Sequence, residues 1–166
     1  MKRDLSHWLQ DMVTRYERPL CQYAYRITGN PEHARDAVQD TFLRLCRKGV
    51  LPDDHVVPWL FRVCRNRCID IIRKEQPMEP LTDARAAVLP APDPSPAEQA
   101  GLRDAVSLLL QKLAELPARQ AEVIRLKFQH HLSYREIAAV TALSESNVGV
   151  LIHTGIQTLR RQAAQL

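Results

Sequence analysis

The side chains with the most chemistry to offer fall in two groups. The first is a set of cations with one amide, Arg62, Arg65, Asn66, Arg67, Arg73 and Lys74, on the side of a segment opposite its apolar residues. Guanidinium and ammonium groups repeated along one helix face neutralise phosphates, and an amide among them can reach a base edge or an unpaired strand. Basic residues near a helix end are also favoured by the helix dipole, so this face has a purely structural reading too. The second group lies in 132–161, LSYREIAAVTALSESNVGVLIHTGIQTLRR. Ser133 with Glu136 three residues later fits a capping box, Ile137, Ala138 and Val140 give a short apolar face, and Thr141-Ala142-Leu143 makes a turn. Ser144 can then cap a second helix through Val148, Leu151, Ile152 and Leu159. A short capped helix, a tight turn and a longer helix outline a helix-turn-helix, whose second helix enters the major groove. Glu145, Ser146, Asn147 and Val150 then face base edges, with His153 and Arg160 further along, while Ser133, Ser144 and the helix N-terminus meet the backbone. The competing reading is a helical hairpin that only closes a core.

No catalytic spacing accompanies these groups. The sequence has no GK[ST] phosphate loop, no G-x-G-x-x-G, no HExxH and no paired catalytic carboxylates, and His130-His131 lack evident ligand partners. Cys64 and Cys68 are one helical turn apart, a spacing that can bind metal, yet no His lies near them. Cys21, Cys46, Cys64 and Cys68 all fall where the helical pattern calls for an apolar side chain. They read as buried free thiols, with no disulfide, metal or cofactor. The expected protein is not an enzyme.

The elements that must position these groups are helical. In 166 residues there are only five glycines, and apolar spacing follows the three-and-four rhythm nearly throughout. No apolar run approaches the roughly 20 residues that cross a bilayer, and the N-terminus has no secretory pattern, so no membrane insertion and a cytoplasmic location are expected. The net charge of +4 is compatible with nucleic acid. Basic residues outnumber acidic ones in 1–75 and 105–166, while acidic ones dominate between. That middle stretch, QPMEPLTDARAAVLPAPDPSPAEQAG, is Pro-rich and lacks apolar periodicity. The reading is all-α: two small helical domains, 1–75 and 104–166, joined by a flexible linker, 76–103.

Within the first domain, residues 5–28 suit a helix with Trp8, Leu9, Met12, Val13, Tyr16, Leu20, Tyr23 and Ile27 on one side and an interruption or kink at Pro19. Gly29 ends it and Pro31 opens the next helix. That helix buries Ala34, Ala37, Val38, Thr41, Phe42 and Leu45, and shows Asp36, Gln39, Asp40, Leu43 and Arg44. By itself the outer face reads first as an ordinary solvated surface and second as a protein-docking one. A third helix has Pro58 in its first turn and a stripe of Val57, Leu60, Phe61, Cys64, Cys68, Ile71 and Ile72, with Trp59 as a core anchor.

Taken together, AYRITGNPEHARDAVQDTFLRL (24–45), PWLFRVCRNRCIDIIRK (58–74) and LPARQAEVIRLKFQHHLSYREIAAVTALSESNVGVLIHTGIQTLRR (116–161) resemble the extracytoplasmic-function group of bacterial RNA polymerase sigma factors. The resemblance implies that Asp36, Gln39, Asp40, Leu43 and Arg44 dock core RNA polymerase, which reverses the preference for a solvated face. It implies that Arg62, Arg65, Asn66, Arg67, Arg73 and Lys74 meet the minus-ten element of promoter DNA. It further implies that the helix after Ser144 reads the minus-thirty-five element, on a scaffold of 104–116 and a helix opening at Pro117. An anti-sigma factor is the expected regulator. The departure is in the recognition helix, where the family often has Lys and Arg: here stand Gly149, Val150, Leu151, His153, Thr154 and Gly155. This predicts a weaker or more hydrophobic reading of the upstream element, with the two glycines permitting close approach to DNA or to another helix. A stand-alone helix-turn-helix regulator is the alternative. It would explain 132–161 and leave the first domain's faces without purpose.

Overall fold

The structure, a computed structural model, describes residues 2–75 and 100–165. Helices α1 (Lys2–Thr28), α2 (Pro31–Lys48) and α3 (Asp53–Glu75) form a first compact unit. Helices α4 (Ala100–Glu115), α5 (Ala118–Phe128) and α7 (Glu145–Ala164), with most of α6 (Tyr134–Thr141), form a second. No strand occurs among the described residues, so the all-α expectation holds. The expected linker 76–103 lies largely outside the described residues; its last four positions are instead the start of α4.

In the first unit the chain reverses between α1 and α2 by local chemistry alone. Gly29 takes φ +67°, a conformation only glycine adopts freely, and its N–H donates to the Tyr25 carbonyl at 2.8 Å. The Asn30 carboxamide oxygen then accepts from the Glu32 and His33 N–H groups at 2.8 and 3.4 Å, with Pro31 in the first turn. Pro19 sits inside α1, which continues through it. Helix α3 begins earlier than its proline suggests. Its first turn is Asp53 and Asp54, acids that suit a helix N-terminus, which places Pro58 one turn inside rather than at the start.

The buried stripe is narrower than the sequence pattern and takes in Val56 from the added first turn. Val56, Leu60, Phe61, Cys64 and Cys68 are buried, whereas Val57, Ile71, Ile72 and Trp59 are half-buried. Trp59 is therefore a flank of the core and not its anchor. The stripe packs on Met12, Leu20, Tyr23 and Ala24 of α1 and on Ala34, Ala37, Val38, Thr41 and Leu45 of α2. Tyr23 and Phe61 meet edge to face, with ring centroids 5.2 Å apart. Trp8, Leu9, Val13, Tyr16, Ile27 and Phe42 are only half-buried, since three helices cannot cover every flank of the faces they share.

The cysteines divide. Cys64 and Cys68 are buried and share a side-chain hydrogen bond; this bond first, and burial second, keep the Cys68 thiol protonated well above the ordinary range. Cys21 is half-buried, and burial and then Glu17 push its thiol up. Cys46 contradicts the expectation of burial. It is exposed, because α2 turns its inner side at Leu45 and the next residue swings about 100° outward.

The second unit has its core in Leu113, Leu116, Ala121, Val123, Ile124, Leu126, Leu132, Ile137, Val148 and Ile152. Pro117 stands one position before α5, at its N-cap, where its carbonyl accepts from the Ala121 N–H at 3.0 Å. Between α6 and α7 the chain turns through Ala142 at φ +59°, a left-handed residue where glycine would be less strained. The two helical glycines have separate uses. Gly155 is buried, and a Cβ there would stand 2.5 Å from the Ile124 Cδ1, so it lets α7 lie close on α5. A Cβ at Gly149 would meet only the Tyr134 ring edge at 3.5 Å, an ordinary contact. Urea unfolding should separate them. Gly149→Ala is expected to raise stability by up to about 1 kcal/mol through helix propensity, and Gly155→Leu to lower it by about 1–3 kcal/mol through overpacking.

Candidate nucleic-acid interface

In the second unit the candidate face is built by caps. The Ser133 N–H donates to the Glu136 carboxylate at 2.7 Å, and the Glu136 N–H donates to the Ser133 hydroxyl oxygen at 3.2 Å, closing the reciprocal box. The Ser144 hydroxyl oxygen accepts from the Asn147 N–H at 3.1 Å. These bonds fix where α6 and α7 begin, and therefore which residues of α7 point outward. Glu145, Ser146, Asn147, Val150, His153, Thr154 and Arg160 are exposed, whereas Val148, Ile152 and Gly155 face the core. Ser133 and Ser144 are exposed at the two helix starts. All eight residues expected on this face are thus solvent-accessible in one unit.

Sequence reasoning missed two contributors. The Tyr134 ring lies beside Gly149, and the Lys127 ammonium stands 5.3 Å from the ring centroid, a cation–π distance. Lys127 lies in the last turn of α5 and Tyr134 begins α6, so no single-helix periodicity links them. Only the bareness of Gly149 in the sequence hinted that something else fills that place.

In the first unit, α3 turns Arg62, Asn66, Arg73 and Lys74 fully outward and leaves Arg65 and Arg67 half-buried. On α2, Asp36, Gln39, Leu43 and Arg44 are exposed, with Leu43 at 55%, while Asp40 is half-buried. Asp40 and Arg67, expected on two different surfaces, are in fact partners. The Arg67 Nε donates to Asp40 Oδ2 at 2.5 Å, tying α2 to α3. A second tie joins the start of α2 to the end of α3, His33 Nε2 to Glu75 Oε1 at 2.8 Å. Arg26, half-buried near the end of α1, has its guanidinium pKa lowered by burial. Among the described residues no group of three or more His, Cys, Asp or Glu is placed to hold a metal, and no helix is long and apolar enough to cross a membrane.

Residues 12–77 match Sigma-70 region 2, and residues 107–159 match Sigma-70, region 4. The chain is 29% identical to the ECF RNA polymerase sigma factor SigW of Bacillus subtilis, over 94% of this chain and 89% of the relative. It is 30% identical to the ECF RNA polymerase sigma factor RpoE of Cereibacter sphaeroides, over 77% of this chain and 71% of that one. Two solved structures share the fold. The sigma factor RpoE in complex with the anti-sigma factor NepR, from Bartonella quintana, has a TM-score of 0.65 at 20% identity, over 92% of this chain and 94% of that one. CnrH in complex with the cytosolic domain of CnrY has a TM-score of 0.62 at 23% identity, over 96% and 90%.

The ion pair between α2 and α3 is open to measurement. A double-mutant cycle of Asp40→Asn and Arg67→Gln in urea unfolding should give a coupling of about 0.5–1 kcal/mol at low salt that shrinks in high salt. Strict additivity of the two substitutions would show that the pair adds nothing to stability.

Proposed function

The chain belongs to the extracytoplasmic-function group of the sigma-70 family, whose members are non-enzymatic regulatory factors, and on that premise we propose that it binds core RNA polymerase and directs it to selected promoters. The observation that carries this reading is the pairing, in one chain and in the family's order, of an exposed cationic helix face on α3 with a doubly capped helix-turn-helix ending in α7. A stand-alone regulator needs only the second of these.

In this reading residues 1–75 act as one module, 104–166 as another, and 76–103 as the tether between them. Asp36, Gln39, Leu43 and Arg44 dock the polymerase, with Asp40 supporting that surface through its bond to Arg67. Arg62, Arg65, Asn66, Arg73 and Lys74 take the minus-ten element, where cations offset phosphates and Asn66 contacts a base. The front of α7 enters the major groove of the minus-thirty-five element, with Ser133, Ser144, Lys127 and Arg160 at the backbone. Each module alone binds weakly; carried together on polymerase, the second contact becomes effectively intramolecular. Control by an anti-sigma factor is part of the proposal, supported by the two fold relatives, each solved with a second protein bound.

The test begins with co-elution of the chain and core polymerase on a sizing column, beside a Leu43→Asp variant. Leu43 is exposed and makes no ion pair, so its loss leaves the fold intact, whereas Asp40→Arg would also break the bond to Arg67. Wild type should co-elute and Leu43→Asp should not. Asn66→Ala and Asn147→Ala should keep polymerase binding and lose roughly tenfold or more in promoter-specific transcript, as expected for a lost base contact. Failure of the wild type to bind polymerase at micromolar concentration would favour the stand-alone regulator.

A further inference from the structure

The groove-facing surface of α7 has a chemical bias beyond its general role. Between Arg135 and Arg160 the sequence contains no Lys or Arg. The commonest specific contact to guanine, a guanidinium or ammonium on O6 and N7, is therefore unavailable to the first turns of α7. What stands there is apolar. Val150 is 61% exposed, a large hydrophobic side chain held outward on a helix whose inner face is already filled by Val148 and Ile152. Its neighbour Gly149 has no side chain, and the ring beside it belongs to Tyr134, itself 41% exposed. Cations lie only at the margins: Lys127 over the Tyr134 ring and Arg135 on one side, Arg160 and Arg161 on the other. A surface with an apolar centre and a cationic rim complements duplex DNA whose phosphates flank an apolar spot in the groove.

One group in the major groove offers such a spot, the 5-methyl of thymine. We propose that Val150 is a specificity-determining residue that reads a thymine methyl in the upstream promoter element. Asn147 lies one turn before it on the same exposed face, three residues away, so the two side chains reach neighbouring positions. An amide there pairs with adenine N6 and N7, which makes the pair of residues selective for A·T steps. Gly149, about 100° round the helix from Val150, leaves room for the Tyr134 ring on that flank. This inference rests on the sigma-factor reading and specifies what its upstream contact recognises.

The test uses holoenzyme assembled from the full chain and core polymerase, on a promoter that the holoenzyme selects from a randomised library. Thymines of the upstream element are replaced one at a time by deoxyuridine, which removes the methyl and leaves every hydrogen-bonding group. At one thymine or two, the wild type should lose about fourfold in open-complex formation, the effect of one buried methyl. Val150→Ala should lose a similar factor on thymine DNA and become indifferent to uracil, while Val150→Thr, which keeps a methyl, should retain part of the sensitivity. Uracil tolerated at every position, or a Val150→Ala holoenzyme as sensitive to uracil as wild type, would overturn the methyl readout while leaving the sigma reading intact. A holoenzyme that yields no promoter-dependent product at all would instead overturn the sigma reading, and the methyl readout with it.

Discussion

A helix can lend its outer face to a polymer only if its inner face is fixed, and in the first unit that condition is met by the buried stripe of α3. Val56, Leu60, Phe61, Cys64 and Cys68 are each almost wholly removed from water, and burial of each large apolar side chain is worth about 1.5–3 kcal/mol. The edge-to-face contact of Phe61 with Tyr23 sets the rotation of α3 against α1. Once that rotation is fixed, Arg62, Asn66, Arg73 and Lys74 have nowhere to go but outward. The cationic face is thus a consequence of packing. The same logic explains the cysteines: at two stripe positions a small, soft side chain fills the core, and the hydrogen bond to Cys64, then burial, push the Cys68 thiol well above its ordinary range.

The bond between Asp40 and Arg67 shows why faces assigned helix by helix are not independent. Any partner that engages Asp40 must compete with Arg67 for it, and a phosphate that draws Arg67 away leaves Asp40 without its cation. The magnitude decides how much this matters. Both side chains keep partial solvent access, so the pair contributes up to about 1 kcal/mol. A protein–protein interface of standard size supplies far more than that, so the pair can bias the order of contacts without preventing either. The contact of His33 Nε2 with Glu75 Oε1 joins the start of α2 to the end of α3 at the other end of the same two helices.

Much of this was legible in the sequence because it is local. Capping boxes, a glycine at a helix end and a proline at the next helix start depend on residues within four positions, and Ser133, Ser144, Gly29 and Pro31 all act within that reach. The exposure of the outer face of α7 follows from the same periodicity. What escaped lay at the edges of a helix face or far apart in the chain. The α3 stripe keeps Leu60, Phe61, Cys64 and Cys68, but at its first turn Val56, about 40° from Leu60 round the helix, is buried, while Val57, about 60° away on the other side, is half-buried. Cys46 looked apolar in pattern but falls just beyond the last inward residue of α2. The Asp40–Arg67 bond spans 27 residues and the Lys127–Tyr134 contact joins two helices, so no periodicity within one helix encodes either.

The two glycines of α7 carry the same lesson to the recognition surface. In the sequence they weaken a helix by about 1 kcal/mol each and permit close approach to DNA or to another helix, without saying which. In the fold, Gly155 removes the side chain that would hold α7 away from Ile124, bringing the helix close enough to α5 for Val148 and Ile152 to be fully covered. With those two residues inward, the 100° step per residue leaves Val150 facing out between Asn147 and His153. Its exposure therefore has a cause in packing, since the inner side of α7 has no room for it. A side chain excluded from the core for that reason is free to vary, and an apolar one there makes an uncharged centre on an otherwise polar helix face. If α7 meets duplex DNA as proposed, its sparse charge changes what the helix can read, from guanine edges toward methyl groups, with the cations left at the rim for the phosphates.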